Sequence, residues 1–212
     1  MDEDLKEHFI TCASSYTNKL PVIKSCWDEI ETAYSSQLRF YHNLVHLENM
    51  AKQLQAVKHE LDNRDALFFA LCYHDIVYRP GSQENEQKSA ELAKFRLSQL
   101  KVAEATIQRC IHHILATASH HKTADPDSNY FTDADLSVFG TNAAAYKQYC
   151  QDIRREYIAF PDIVYRQGRR DMIHQFLRMD CIFKTSYFFD QYEEKARKNL
   201  QEELELYDEG MM

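Results

Sequence analysis

Apolar residues recur along this chain with a helical period and few interruptions. Leu44, Leu47, Met50, Ala51, Leu54 and Val57 make one stripe. Asn43 stands in front as a suitable N-cap, so a helix is expected from there to about His59. The stretch from about Asn63 to Asp75 is apolar nearly all round and reads as a more deeply buried helix. Arg79-Pro80-Gly81-Ser82 is the clearest break in the first half. Ser82 is the expected cap of a helix carrying Ala90, Leu92, Ala93 and Leu97. Pro21 opens an earlier helix with Trp27 and Ile30, and another covers about Val102–Ala118.

The longest loop is expected at His120–Tyr130. Thr132-x-x-Asp135 then resembles a capping box, starting a short helix that ends at Gly140. Helices follow from Asn142 to Phe160, around Arg169–Cys181 and over about Phe188–Asp208. The reading is all-α: one compact helical domain over residues 1–212, with no internal repeat and no linker.

Composition sharpens this. The 212 residues include only 4 Gly and 4 Pro, where ordinary usage would give about 25 in all. The turn-makers of a sandwich or barrel are missing, and so is a Gly-rich phosphate loop. Asp and Glu outnumber Lys and Arg by 33 to 25, a net charge of −8, which argues against a nucleic-acid polymer or a membrane surface as partner. The 6 Cys form no C-x-x-C pair and fall in helical-looking segments. They read as reduced, mostly core thiols of a cytoplasmic protein. The acidic start MDEDLKEH is unlike a signal peptide.

Candidate chemistry lies in the histidines. His42 and His46 are four apart, so on a helix they share a face and could pinch a metal; a cap-region residue and a hydrogen-bonded core residue would fit as well. His74-Asp75 ends a helix, and Asp133-Ala134-Asp135 opens another. Two imidazoles and two carboxylates make a mixed N/O set that suits Mn, Fe, Co, Ni or Zn, and Mg less well. Adjacent helical residues point about 100° apart, so His74 and Asp75 share an ion only where it sits between them.

At these residues the chain resembles the HD-domain superfamily of metal-dependent phosphohydrolases, whose ligand pattern is a His, a His-Asp pair and a distant Asp. Similarity to one bacterial subgroup of predicted HD-superfamily phosphohydrolases extends through YHNLVHLENM, FALCYHDIVYRPGSQENEQKSAELA, ILATASHH, FTDADLSVFG, IRREY, GRRDMIHQFL and EKARKNLQEEL, about residues 38–205. The resemblance implies an HD-type core over about 38–140 with a helical extension over about 141–209. It implies the metal ligands His46, His74, Asp75 and Asp135, with His42 and Asp133 as alternatives or neighbours, and one divalent ion or two.

The resemblance further implies hydrolysis of a small phosphorylated metabolite, expected to be a nucleotide, by a metal-bound water. Glu84 or Glu86 would assist that water, with an ordinary acidic helix start as the alternative. His120 would contact phosphate or a second metal. Arg154, Arg155, Arg169, Arg170 and Arg178 would bind phosphate through paired oxygens, although most helical arginines serve in surface salt bridges. His112, His113 and His121 are expected at the surface or in helix packing. Two other functions are compatible with the same residues: a non-catalytic metal-dependent sensor of a nucleotide, and a di-iron oxygenase that recruits His42 and His120. The N-terminal ~35 residues and the last charged helix offer surfaces for a homodimer.

Overall fold

The computed structural model describes residues 4–208. Residues 1–3 and 209–212, which the single-domain expectation also spans, lie outside them. Among the described residues there are ten α-helices, two 3-10 turns and no strand. The helices are α1 (Leu5–Ser14), α2 (Leu20–Tyr34), α3 (Leu44–Ala56), α4 (Arg64–Tyr73), α5 (Asn85–Gln99), α6 (Glu104–Ala116), α7 (Pro126–Leu136), α8 (Ala143–Glu156), α9 (Asp162–Leu177) and α10 (Ser186–Asp208). None is long and apolar enough to cross a membrane.

The chain forms two compact units, residues 1–132 and 133–212. In the first, α4 is the central element. Ala66, Leu67 and Phe69 through Tyr73 are all buried, and α3, α5 and α6 pack on it. Phe9 of α1 and Trp27 of α2 close the same core, with Phe9 edge-on to Phe69. In the second unit, α10 lies against α9 and against the 3-10 turn Ser137–Gly140. Gly140 permits that approach: a Cβ there would stand 2.6 Å from Tyr192 Cβ and 2.7 Å from its carbonyl oxygen.

The expected Asn43 cap holds, and the helix starts expected at Asn63 and Asn142 are capped by those side chains. Asn43 accepts from the N–H groups of Val45 and His46, Asn63 from Ala66, and Asn142 from Ala145. Two other expected helix starts need correction. The cap of α5 is Glu84, while the Ser82 hydroxyl accepts from the Glu84 N–H one step earlier. Thr132 does not start a helix: α7 begins at Pro126, with the Asp125 carboxylate accepting from the Ser128 N–H. Proline at the first helical position gives up a hydrogen bond that the helix start lacks anyway, so it opens α7 instead of interrupting a loop. The Thr132 hydroxyl, inside the helix, donates back to Ser128 O.

All six cysteines are free. Four are buried, but Cys181 is exposed and lies outside any helix.

Candidate metal centre

The site is built in the first unit. The Asn43 cap fixes the start of α3 and sets His46 in its first turn, 4% exposed. His74 follows the last residue of α4 and is 1% exposed. Its Nδ1 lies 3.0 Å from the Leu71 carbonyl oxygen. A carbonyl only accepts, so Nδ1 carries a proton, and in the neutral imidazole Nε2 then presents its lone pair. That Nε2 lies 3.2 Å from His46 Nε2 and 3.1 Å from Asp75 Oδ2. All three ligand atoms fall within 4.8 Å of one another.

His74 still has helical backbone angles (φ −58°, ψ −39°), and its N–H bonds to Ala70 O, so the pair meets at the very end of α4. The chain then turns, and both side chains converge. The turn is fastened on both sides. The Asp75 N–H donates to Tyr34 Oη at 3.1 Å. The carbonyls of Asp75 and Ile76 accept from Arg39 Nη1 and Nη2 at 2.7 and 2.9 Å. The Val77 N–H donates to Ser89 Oγ, and Asn85 pairs with both backbone groups of Arg79. Gly81 takes the left-handed conformation (φ 77°) that closes the following turn, where a side chain would be strained.

This donor set fits a divalent ion. Two ligand atoms sharing an ion at ordinary metal–ligand distances of about 2.1 Å stand roughly 3.0–3.4 Å apart. Both close pairs of the triad have that spacing. A lone pair of His74 facing the Asp75 carboxylate oxygen is repulsive unless a cation, a proton or a metal, lies between them. The Nδ1–H anchor on a backbone carbonyl also fixes the tautomer that a ligating histidine needs.

The chain matches no known family model, curated protein or solved structure.

The remaining candidates are placed as follows. His42 Nε2 lies 3.9 Å from Asp75 Oδ2, and its ring packs on Tyr78 at 4.2 Å, so it stands at the edge of the triad. Glu84 is exposed, and its carboxylate is 2.6 Å from Lys88 Nζ, which lowers its pKa and weakens it as a base. Glu86 lies in the first turn of α5. His120 adopts a left-handed backbone (φ 54°), and its N–H returns to Ala116 O, closing the end of α6.

In the second unit, the Asp133 carboxylate is 0% exposed and fully engaged. It accepts from the N–H groups of Lys184 and Thr185 and from the Thr185 hydroxyl, and pairs with Lys184 Nζ. It therefore fastens the start of α10. Asp135 is half-buried and also attracts Lys184 electrostatically.

Four of the five arginines are ion-paired within the second unit. Arg169 grips Glu203 through Nε and Nη2 at 2.8 and 3.0 Å and donates to Tyr149 Oη. Arg170 pairs with Asp208, Arg154 with Asp162, and Arg155 with Asp152. Arg178 is the C-cap residue of α9.

Sequence reasoning missed two groups. Arg39 and Tyr34 hold the Asp75 backbone, yet nothing in their sequence positions marks a partner some 36 or 41 residues away. His113 is buried rather than merely packed, its Nδ1 2.7 Å from Ser128 Oγ, whose own proton goes to Asp125.

Proposed function

We propose that this chain is a metal-dependent phosphohydrolase in which His46, His74 and Asp75 hold a divalent cation. The observation that carries the reading is the convergence of these three side chains at metal-ligand spacing, with the His74 tautomer set by Leu71. The likeness to HD-domain phosphohydrolases supplies the reaction class and a phosphorylated metabolite such as a nucleotide as substrate. The N/O donor set favours Mn, Fe, Co, Ni or Zn. Such an ion would acidify a coordinated water and draw charge from a phosphoryl group.

The chain's own residues do the rest. Leu71 O orients the His74 imidazole. Asp75 supplies a carboxylate whose backbone is fixed on both sides. His42, beside Asp75 and packed against the Tyr78 ring, is placed to meet a ligand's oxygens at the edge of the site.

The test is phosphatase activity on a nucleotide panel with Mn, Co, Ni or Mg, comparing wild type with Asp75→Ala. Turnover is expected to need the metal and to vanish in the variant. Turnover that survives both Asp75→Ala and chelation contradicts the mechanism. The engagement of Glu84 by Lys88 favours a second reading, a metal-dependent nucleotide sensor without catalysis. Tight metal-dependent nucleotide binding with no turnover would single it out.

A further inference from the structure

Arg39 lies in the segment between α2 and α3, outside every candidate set above, and its surroundings are unusual for an arginine. Its guanidinium hydrogen-bonds to backbone carbonyl oxygens. Nη1 donates to Asp75 O at 2.7 Å and to His42 O at 3.3 Å, and Nη2 donates to Ile76 O at 2.9 Å. The guanidinium carbon stands 4.8 Å from the Tyr34 ring centroid and 5.5 Å from that of Tyr78. Tyr34 in turn takes the Asp75 N–H on its hydroxyl, and Tyr78 packs on His42. One planar cation thus joins the segment that leads into His46 to the turn that carries His74 and Asp75.

We infer that Arg39 is a positioning residue of the metal centre. It sets the spacing of His46 against His74 and Asp75 by tying together the backbones that bear them. The physical reason is the fork. Three carbonyls in two segments are spanned by donors held in one plane, which a single ammonium or an apolar side chain does not reproduce. A ligand triad has to be held within a fraction of an ångström to bind an ion well, and the groups supporting the ligands decide this. Tyr34 serves the same end from the other side of Asp75.

The inference rests on the metal reading above, and the experiment separates the two. Co(II) is titrated into the full chain, following its visible absorption bands and the dissociation constant, for wild type, Arg39→Lys, Arg39→Met, Tyr34→Phe and the control Arg96→Met. Arg96 also carries a doubly bonded guanidinium, but its partners are Glu29 and Gln99. Circular dichroism and thermal melting report folding in parallel.

The expected result is Co(II) affinity weakened about 10–100-fold in Arg39→Met, with altered band intensities, a smaller loss in Arg39→Lys and Tyr34→Phe, and no change in Arg96→Met. If Arg39→Met does not fold, Arg39→Lys and Tyr34→Phe decide by the same measure. Wild-type affinity and spectrum in the folded Arg39 and Tyr34 variants overturn the inference while leaving the metal reading intact. A wild type that binds no Co(II) overturns the metal reading, and this inference with it.

Discussion

The Nε2 atoms of His46 and His74 face each other at 3.2 Å in the interior of the first unit, on residues 4% and 1% exposed. His74 donates its Nδ1–H to Leu71 O, so in the neutral ring this contact is an N–H of His46 on a lone pair of His74, or a pair of lone pairs on a shared cation. The Asp75 carboxylate, 3.1 Å from the same His74 nitrogen, tilts the balance towards the cation. With no proton or metal ion between them, the two buried imidazoles and the half-buried carboxylate would face acceptor to acceptor, which is costly away from bulk water. It follows that a bound divalent ion should stabilise the first unit. Thermal melting is expected to rise with Mn(II) or Co(II) in wild type and to stay flat in His46→Ala and Asp75→Ala.

Arg169 and Glu203 form a doubly bonded pair with side chains 5% and 2% exposed. Tyr146 Oη and Tyr149 Oη complete its hydrogen bonds, one on each partner. Removing one member leaves the other charge buried alone. Arg169→Met is expected to cost about 3–5 kcal/mol in denaturant unfolding. The double variant Arg169→Met/Glu203→Leu is expected to recover most of it, because both charges leave together. A loss in the double variant equal to the sum of the Arg169→Met and Glu203→Leu losses would show the pair to be uncoupled.

His113 gives the acid dependence a definite window. Burial pushes its pKa from 6.5 down to about 4, against the raising pull of Asp125 and Asp127. The unfolded chain therefore takes up a proton at a pH where the folded one does not. The contribution is whole above about pH 6.5 and is lost as pH falls from there towards 4, by about 3 kcal/mol in all. Asp125 and Glu203, whose pKa values are lowered, hold their contributions until the pH falls further. Urea unfolding at pH 7.5, 5.5 and 4.5 is expected to show this loss in wild type and a shallower slope in His113→Gln.

Two glycines separate close packing from open space. At Gly140 a Cβ would press into the backbone of Tyr192, so Gly140→Ala is expected to destabilise the second unit by about 1–3 kcal/mol. Gly168 lies within α9 with nothing within 4 Å of an added Cβ. Gly168→Ala is expected to stabilise by up to about 1 kcal/mol through helix propensity. Melting temperatures of the two variants should move in opposite directions.

These positions also show what was legible in the chain. The all-α class followed from unbroken helical periodicity. Asn43, Asn63 and Asn142 sit at helix starts because a short amide can take up N–H groups that the first turn leaves bare. Local chemistry failed at Thr132 because Pro126 already opens that helix. The His46 and His74-Asp75 segments were visible as candidate ligands, but not the packing of α3 on α4 that brings His46 Nε2 and Asp75 Oδ2 to the same His74 nitrogen. The fates of Arg169, Asp133 and Arg39 were hidden because each is decided by partners from 34 to 52 residues away. Charge predicts that such a group needs a partner, not which one.

His46, His74 and Asp75 are expected to bind one divalent ion together. Anomalous scattering from crystals of the wild-type chain grown with Mn(II), measured near the manganese absorption edge, tests it most directly. The predicted result is a single strong peak within about 2.0–2.3 Å of His46 Nε2, His74 Nε2 and an Asp75 carboxylate oxygen, absent from crystals of Asp75→Ala. A wild-type map with no peak at those three atoms, or with the manganese bound elsewhere, would rule out a shared ion at the triad.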